Sequence, residues 1–329
     1  MSQFKGRLVN VGLAPQSNYT TPVTTPVYTV PWMDLSLKDT IETLQNESAN
    51  GTIAHFNDSI VSGVHGEGEI QTKLWHKGLY YFLLWIFGQT PTKTSNGDGS
   101  YKYTFTMANN NQHLAQTVVV NDPNNPCYFP TAVLSEATIA WTPSEFATLT
   151  ASLISKKSVA GSAFTPAYVD DAEFKPSHLE LKIADSVSGL SGASVATLFT
   201  SVSLAVSKNV EGTQTSDSGV DYGAFMNGDL EATLSFEKLY NDTVYRALAL
   251  DGTKKAISFG FVDPDNKAGT NTNTSLKFIF PKVKLSSYET AFGLSDTATE
   301  SFEATALFDA TAGSLITAEL VTKYNISKI

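Results

Sequence analysis

The sequence predicts a mainly β protein made of two tandem copies of one unit, with two short helices. Three observations support this prediction. Apolar and polar residues alternate along most of the chain, helical spacing is confined to two stretches, and similar blocks recur in the same order in both halves. The length of 329 residues allows one large domain or two of ordinary size.

The strand prediction rests on alternation. Residues with high strand propensity, chiefly Val, Thr, Tyr and Phe, alternate with polar residues in six segments. These predicted strands are Tyr101–Met107, Gln116–Val120, Leu149–Ile154, Leu179–Ile183, Val202–Val206 and Ala256–Phe261.

Two stretches have helical spacing instead, and each directly follows a predicted strand. They are His76–Phe87 and Lys238–Leu250. The first is apolar on all sides, whereas the second carries Asp242 and Arg246. The two helices therefore need not make equivalent contacts.

The duplication is carried by two pairs of matching blocks. Gly68-Glu-Ile-Gln-Thr-Lys-Leu74 matches Gly228-Asp-Leu-Glu-Ala-Thr-Leu234, and Phe129-Pro-Thr-Ala-Val-Leu-Ser135 matches Phe280-Pro-Lys-Val-Lys-Leu-Ser286. The offsets are 160 and 151 residues, and the polar loop Gln89–Ser100 in the first half absorbs the difference. Because both pairs occur in the same order, they predict an internal repeat.

The repeat predicts a first domain over residues 1–165 and a second over residues 166–329. The junction falls in a stretch of small residues, Gly and Pro that interrupts the strand pattern. The first domain also contains a Thr/Pro-rich segment, Asn18–Pro31, whose prolines suit an extended arm that lies on a neighbour.

Residues 34–64 form a polar stretch with weak periodicity. A loop of this length is unusual in a compact domain and favours a segment that orders against a partner, although a mobile surface loop is the alternative. Its large apolar side chains are candidate subunit contacts: Leu37, Ile41, Leu44 and Phe56.

The first helix offers further candidate contacts. Leu79, Phe82, Leu83 and Ile86 are enough to satisfy the core, which leaves Tyr81, Leu84 and Trp85 on other faces. Trp and Tyr are enriched at interfaces, so these three residues are predicted subunit contacts. The alternative is that the helix is buried within its own domain.

Composition argues against several classes of function. The formal net charge of −10 disfavours tight nucleic-acid binding. The single cysteine excludes an intramolecular disulfide, and the longest apolar run, Leu79–Phe87, is too short to span a bilayer.

Motifs for catalysis are also missing from the sequence. There is no phosphate-binding loop or nucleophile elbow, and the five histidines lack metal-ligand spacing. Glu67 and Glu69 share a strand face, as a general acid and base might, but such carboxylates are usually just solvated. The oxygen-rich segment Asp263–Gly269 is interrupted by Pro264 and Lys267, so a turn explains it better than a calcium loop. We therefore expect no enzyme activity, metal or cofactor.

The chain resembles phage tail tube proteins along most of its length. The likeness is carried in the first half by Gly12–Val23, Asn46–Gly51 and Gly66–Ile70, the last leading into the apolar helix. In the second half it is carried by Phe280–Leu285 and Ser301–Gly313. These motifs are structural rather than catalytic, and their order is what makes the likeness specific.

The resemblance implies β-sandwich-like or barrel-like units, each with one flanking helix, whose sheets join around a channel. It further implies stacked rings that form the virion tail tube and conduct DNA into the host. Two units per chain imply a ring of three chains with pseudo-sixfold symmetry. The expected partners are other copies of the chain, tail tip or baseplate proteins and tail terminator proteins. The tape measure protein and DNA pass through without specific binding, no membrane is involved, and synthesis takes place in the host bacterial cytoplasm.

The polar faces of two equivalent segments are the candidates for the channel wall. A wall with few cations and some carboxylates keeps phosphates from binding. An ordinary solvated outer face is the alternative. The candidate lining residues are Glu69, Gln71 and Lys73 in the first copy and Asp229, Glu231 and Thr233 in the second.

A different kind of assembly or binding protein is the main alternative. A viral adhesin or a carbohydrate-binding β-sandwich would use exposed Trp and Tyr side chains as sugar platforms. It should remain a monomer or a closed trimer, whereas a tube subunit has two stacking faces.

Overall fold

The computed structural model describes residues 4–294 and 297–326 and confirms a mainly β fold with 51% strand and 9% helix. Its α-helices are α1 (Gly78–Phe87) and α2 (Val244–Asp251). The strands are, in chain order, β1 (Asn10–Pro15), β2 (Tyr28–Val30), β3 (Trp32–Leu35), β4 (Lys38–Asn46), β5 (Asp58–Lys73), β6 (Thr92–Ser95), β7 (Tyr101–Thr106), β8 (Gln116–Asn121), β9 (Cys127–Thr142), β10 (Glu145–Lys156), β11 (Val159–Ala160), β12 (Leu179–Ala184), β13 (Phe199–Ser207), β14 (Glu211–Thr213), β15 (Ala224–Met226), β16 (Glu231–Leu239), β17 (Lys255–Lys267), β18 (Asn273–Ala291), β19 (Thr299–Ala306) and β20 (Thr317–Thr322).

One antiparallel sheet, called here the main sheet, runs through both halves of the chain. Its strands are ordered β3/β4, β5, β10, β9, β13, β16, β19 and the second half of β18. The two halves meet where β9 pairs with β13. A single sheet and a continuous hydrophobic core thus cross the predicted boundary at residue 165, and the division into two domains stays a prediction.

Two long strands connect the main sheet to outer layers. The first half of β9 leaves the main sheet and pairs with β8, which continues to β1 and β2. The first half of β18 does the same with β17 and β12 on one edge, and with β20, β7 and β6 on the other. The strand pair β6 and β7 thus belongs to the first half of the chain but completes the outer layer of the second.

The two halves repeat the same pairing, including two β-bulges. In the main sheet β3/β4, β5, β10 and β9 correspond to β13, β16, β19 and β18. The ladder of β9 skips Ser135, and that of β18 skips Ser286. The edge strands likewise skip Met33 and Thr200. Because each bulge fixes a register, the corresponding residues of the two copies can be assigned one by one.

This register corrects the sequence match for one block. Cross-strand partners and helix starts place β16 and α2 166 residues after β5 and α1, so that Gly78 corresponds to Val244. The match of Gly68–Leu74 to Gly228–Leu234 is therefore out of register by six residues. The second block, Phe129–Ser135 with Phe280–Ser286, agrees with the structural register. The prediction that the second helix begins at Lys238 is also wrong, because β16 continues to Leu239.

The Thr/Pro-rich segment packs on its own chain instead of projecting as a free arm. The backbone N–H of Val23 donates to Thr117 Oγ1 at 3.0 Å, and β2 pairs with β1. Tyr28, at the end of the segment, stacks on Tyr81 with ring centroids 5.1 Å apart. Among the described residues, no helix is long and apolar enough to cross a membrane.

Candidate channel face and assembly surfaces

One face of the main sheet is polar from edge to edge. On β5 the side chains of Ile70, Thr72 and Leu74 are buried, while those of Glu69, Gln71 and Lys73 lie on the opposite face. The same alternation holds on β10, β9, β13, β16 and β19. Since directly opposed residues in a ladder share a face, the polar face is continuous through both halves of the chain.

A single row of cross-strand neighbours defines the character of this face. Glu69 is opposite Ser152, which is opposite Glu136, which is opposite Ser207, which is opposite Glu231. Carboxylates and serines therefore alternate, and the carboxylates lie about 10 Å apart because each is two strands from the next. Glu237 and Glu303 add further negative charge on the same face.

Five of the six predicted lining residues lie on this face. Glu69, Gln71 and Lys73 are on β5, and Glu231 and Thr233 are on β16. Asp229 precedes β16, and its backbone carbonyl accepts a hydrogen bond from Asn209 Nδ2 at 2.9 Å. The prediction missed Glu136, whose strand is interrupted by the bulge at Ser135, so that the alternation in the sequence is broken just before it.

The predicted cation on the face packs over an aromatic ring. Lys73 Nζ lies 3.8 Å from the ring centroid of Phe146, a cation–π contact. The ammonium group is thereby held near one end of β5, away from the row of carboxylates. Whether any of these residues lines a channel remains a prediction.

The structure contradicts the interface prediction for the first helix. Tyr81, Leu84 and Trp85 are 6%, 1% and 0% exposed in the single chain. The helix lies between the main sheet and the outer layers, and Trp85 Nε1 donates to the carbonyl of Ala132 at 3.1 Å. A helix that is apolar on all sides is buried on all sides, as the alternative interpretation held.

The stretch predicted as a long loop is mostly a projecting β-hairpin. Strand β4 pairs with the first part of β5 from Lys38–Glu67 to Asn46–Asp58, and the tip lies between them. The missed strands are polar in sequence because both of their faces meet solvent.

This hairpin carries three of the four remaining predicted contacts in exposed positions. Ile41, Leu44 and Phe56 are 62%, 61% and 47% exposed, whereas Leu37 is half-buried beside the core. The exposed Ile60, directly opposite Leu44 in the ladder, extends this apolar surface, while Val61 is exposed on the other face of the hairpin; both were missed. Such a cluster on a projecting hairpin is typical of a surface that a partner covers.

The fold brings together histidines that showed no spacing in the sequence. His76 Nε2 lies 3.3 Å from Asp263 Oδ2, and His178 Nε2 lies 3.7 Å from Asp263 Oδ1. The Nδ1 atom of His178 accepts the backbone N–H of Lys175, so Nε2 carries the proton and faces the carboxylate. The arrangement suits a buried polar cluster around the hydrogen-bonded Asp263 carboxylate better than a metal site, since a ligating nitrogen must be free of its proton.

Burial governs the protonation of this cluster. It lowers the pKa of His76 to about 4, against the attraction of Asp263. Burial also opposes ionisation of Asp263, but hydrogen bonds from Asn266 and Asp265 outweigh it and lower the pKa of the carboxyl group. The cluster therefore holds one carboxylate between neutral rings near neutral pH.

Comparison with known proteins identifies a family. A family model described as phage tail tube protein matches residues 6–306. No curated protein was found to match the chain. The matched range includes the main sheet, both helices and the projecting hairpin.

Proposed function

The chain belongs to the phage tail tube protein family and is a structural component of the virion tail, and from this we propose that it polymerises into stacked rings through which DNA is ejected into the host. In this proposal the protein catalyses nothing and needs no cofactor. Its partners are further copies of itself, the tail tip or baseplate proteins and the tail terminator. Synthesis in the host bacterial cytoplasm precedes assembly.

The observation that carries the proposal is the continuous polar face of the main sheet. Both copies contribute strands to it, and Glu69, Glu136 and Glu231 lie in one row across it. Carboxylates on a channel wall repel phosphates, and hydroxyl groups hold a layer of water. Such a wall lets DNA and the tape measure protein slide because it offers them few cations to bind.

The number of chains per ring follows from the repeat. Each chain supplies two equivalent segments of the wall, so three chains give a ring of six segments. The sheet is open at both ends within the described residues, as a subunit of a larger closed wall requires.

The projecting hairpin is proposed to contact the neighbouring ring. Its exposed Leu44, Phe56 and Ile60 lie beyond the edge of the main sheet and leave apolar area that stacking would cover. Apolar burial at such a contact contributes about 25 cal/mol per Å².

The sugar-binding alternative has less support. Trp85 and Trp141 are buried, and Trp32 and Trp75 are half-buried, so none of the four Trp residues presents a free ring as a platform. Of the tyrosines in the described chain, Tyr168 alone is exposed, so no group of exposed rings forms a platform.

The proposal is tested by negative-stain electron microscopy across a concentration series, with native mass spectrometry to count chains. We expect rings of three chains or tubes built from them. A variant with Leu44→Ser and Phe56→Ser should form rings but not stack them. Monomers at every concentration, with or without added tail tip proteins, would contradict the proposal.

A further inference from the structure

The joint between the two copies inside one chain provides a template for the joint between chains. Inside the chain, β9 pairs with β13 antiparallel, and Thr138 is opposite Ala205. The bulges give the strands that correspond to these two. Strand β18 corresponds to β9 with an offset of 151 residues, and β3/β4 corresponds to β13 with an offset of 167.

The corresponding edges at the two ends of the chain are unpaired. Among the described residues, no strand pairs with the outer edge of β3 and β4. Likewise, none pairs with residues 287–291 of β18 on the edge opposite β19. Each free edge is the structural equivalent of one that is paired at the internal joint.

We propose that the free edge of β18 in one subunit pairs with β3/β4 of a second copy in the register of the internal joint. This inference rests on the proposed function and specifies the partner surface. The pair Ala205–Thr138 translates into Lys38 opposite Glu289, and Val202–Trp141 translates into Leu35 opposite Phe292.

The translated pairs are chemically complementary, although the template residues are different in kind. Lys38 and Glu289 are both exposed, carry opposite charges and lie on the polar face. Opposite charges directly across a ladder stabilise pairing. A slip by one residue would place each of them on the wrong face, so the ion pair specifies the register.

The apolar side chains on the core-facing side of the proposed joint also fit this register. Phe292 is 70% exposed and Leu35 is half-buried, and the proposed register places them opposite each other. In the template Val202 covers Trp141, whose side chain is 7% exposed in the single chain. The joint would thus bury Phe292 in the way that Trp141 is already buried.

A third match lies at the helices. In the internal joint the buried Lys208 donates a hydrogen bond to the carbonyl of Trp85, in the last turn of α1. The residue that corresponds to Lys208 is Ile41, which therefore meets the last turn of α2 in the next subunit. That turn presents Leu250, which is 71% exposed. At the joint between chains, Ile41 thus occupies the position that Lys208 has at the internal joint. It would pack on an exposed leucine, whereas Lys208 donates a hydrogen bond to a carbonyl group.

The test uses cysteine pairs in the assembled protein. Directly opposed residues of an antiparallel ladder have Cα atoms about 4.5–5.5 Å apart, which a disulfide can bridge. With Cys127 replaced by Ser, the variant with Lys38→Cys and Glu289→Cys should cross-link between subunits on oxidation and give closed trimers on non-reducing gels. A matched control with Lys38→Cys and Thr290→Cys places the thiols on opposite faces and should not cross-link.

Charge reversal gives an independent readout. Lys38→Glu or Glu289→Lys alone should raise the protein concentration needed for ring formation about 5-fold or more, and the double reversal should restore it. Circular dichroism and thermal unfolding of each monomer serve to confirm folding. Rings without the 38–289 cross-link, or with the 38–290 one, would overturn this register while leaving the tube function intact. Absence of rings in the wild-type protein would overturn the proposed function and this joint together.

Discussion

The helix of the repeat is buried in the first copy but not in the second. In the first copy every residue of α1 is buried, whereas none of the residues of α2 is. The difference extends to the strands beneath. Where the second copy has Lys238, Glu300 and Tyr288, the first has Thr72, Leu149 and Ala137.

The contrast follows from what covers each helix. The end of α1 is closed by Lys208 of the second copy, within the same chain. No described element covers α2 in the same way. A duplicated fold can thus bury the helix of one copy within the chain and leave the helix of the other copy for the next subunit. The polar group beneath α2 is tolerated because Lys238, Glu300 and Tyr288 pair with one another.

The largest expected effect concerns the buried polar group of the second copy. Lys238 Nζ lies 3.1 Å from Glu300 Oε1, and Tyr288 donates to Glu300 Oε2 at 3.0 Å. Glu300→Ala removes the fully buried carboxylate that pairs with this ammonium group, which keeps only Asn241 Oδ1 and the more distant Asp242 carboxylate as partners. The variant should lower the free energy of unfolding by about 3–5 kcal/mol, measured by urea denaturation.

A double variant tests whether the second copy is stable without a buried ion pair, as the first copy is. Lys238→Met with Glu300→Leu removes both charges and should restore stability to within about 1 kcal/mol of wild type. If the double variant is as unstable as Glu300→Ala, removal of both charges does not recover the lost stability, and the second copy needs the ion pair that the first copy lacks.

The corresponding leucines of the two helices give the next largest contrast. Leu84 is 1% exposed and Leu250 is 71% exposed. Leu84→Ala should cost about 2–5 kcal/mol of unfolding free energy, because it leaves a cavity. Leu250→Ala should cost the monomer less than about 0.5 kcal/mol but weaken ring formation.

Chemical denaturation of the monomers separates these outcomes from assembly. Equal losses of unfolding free energy in the two alanine variants would show that α2 is packed as tightly as α1 in solution. Unchanged ring formation by Leu250→Ala would show that the exposed leucine has no role between subunits.

Acid should destabilise the surroundings of α1. Burial lowers the pKa of both His76 and His113, which flank α1, to about 4. Because the unfolded chain takes up these protons near pH 6.5, stability is present above that pH and is lost as the pH falls towards 4. The two groups together account for roughly 2–4 kcal/mol after structural relaxation.

The measurement is the free energy of unfolding between pH 7 and pH 4. His76→Gln should flatten this pH dependence, whereas His55→Ala, at an exposed ring on the hairpin, should leave it unchanged. An equal slope in all three proteins would rule out His76 as a source of the pH dependence.

The smallest effect on stability is expected at the polar face. Replacing Glu69, Glu136 and Glu231 with Lys should change the free energy of unfolding by less than about 0.5 kcal/mol per site, because these side chains are exposed. The assembled tubes should instead retain DNA, with strong salt dependence, as measured by co-sedimentation.

A matched triple variant controls for net charge. Lys at the exposed Asp170, Asp185 and Asp217 changes the charge equally but lies off the polar face. Equal DNA retention by both variants would mean that the row of carboxylates is not the channel wall.

The sequence alone determined the fold class and located six of the strands in the described chain. Alternation predicted strands at Tyr101–Met107 and Gln116–Val120, and the structure places them at Tyr101–Thr106 and Gln116–Asn121. The first helix was placed within two residues of its true start at Gly78. These features are local, because period-2 or helical spacing of apolar residues directly reflects which side chains an element can bury.

Only the tertiary structure decided which surfaces are covered. The burial of Trp85 and the meeting of His76 with Asp263 depend on elements that are distant in sequence. The hairpin over residues 38–67 pairs consecutive strands, but their polar sequence hid it. The true register between the copies was likewise set by bulges at Met33, Thr200, Ser135 and Ser286. Local periodicity shows which side chains need to be buried. The pairing of remote strands determines whether the same chain buries them or another subunit does.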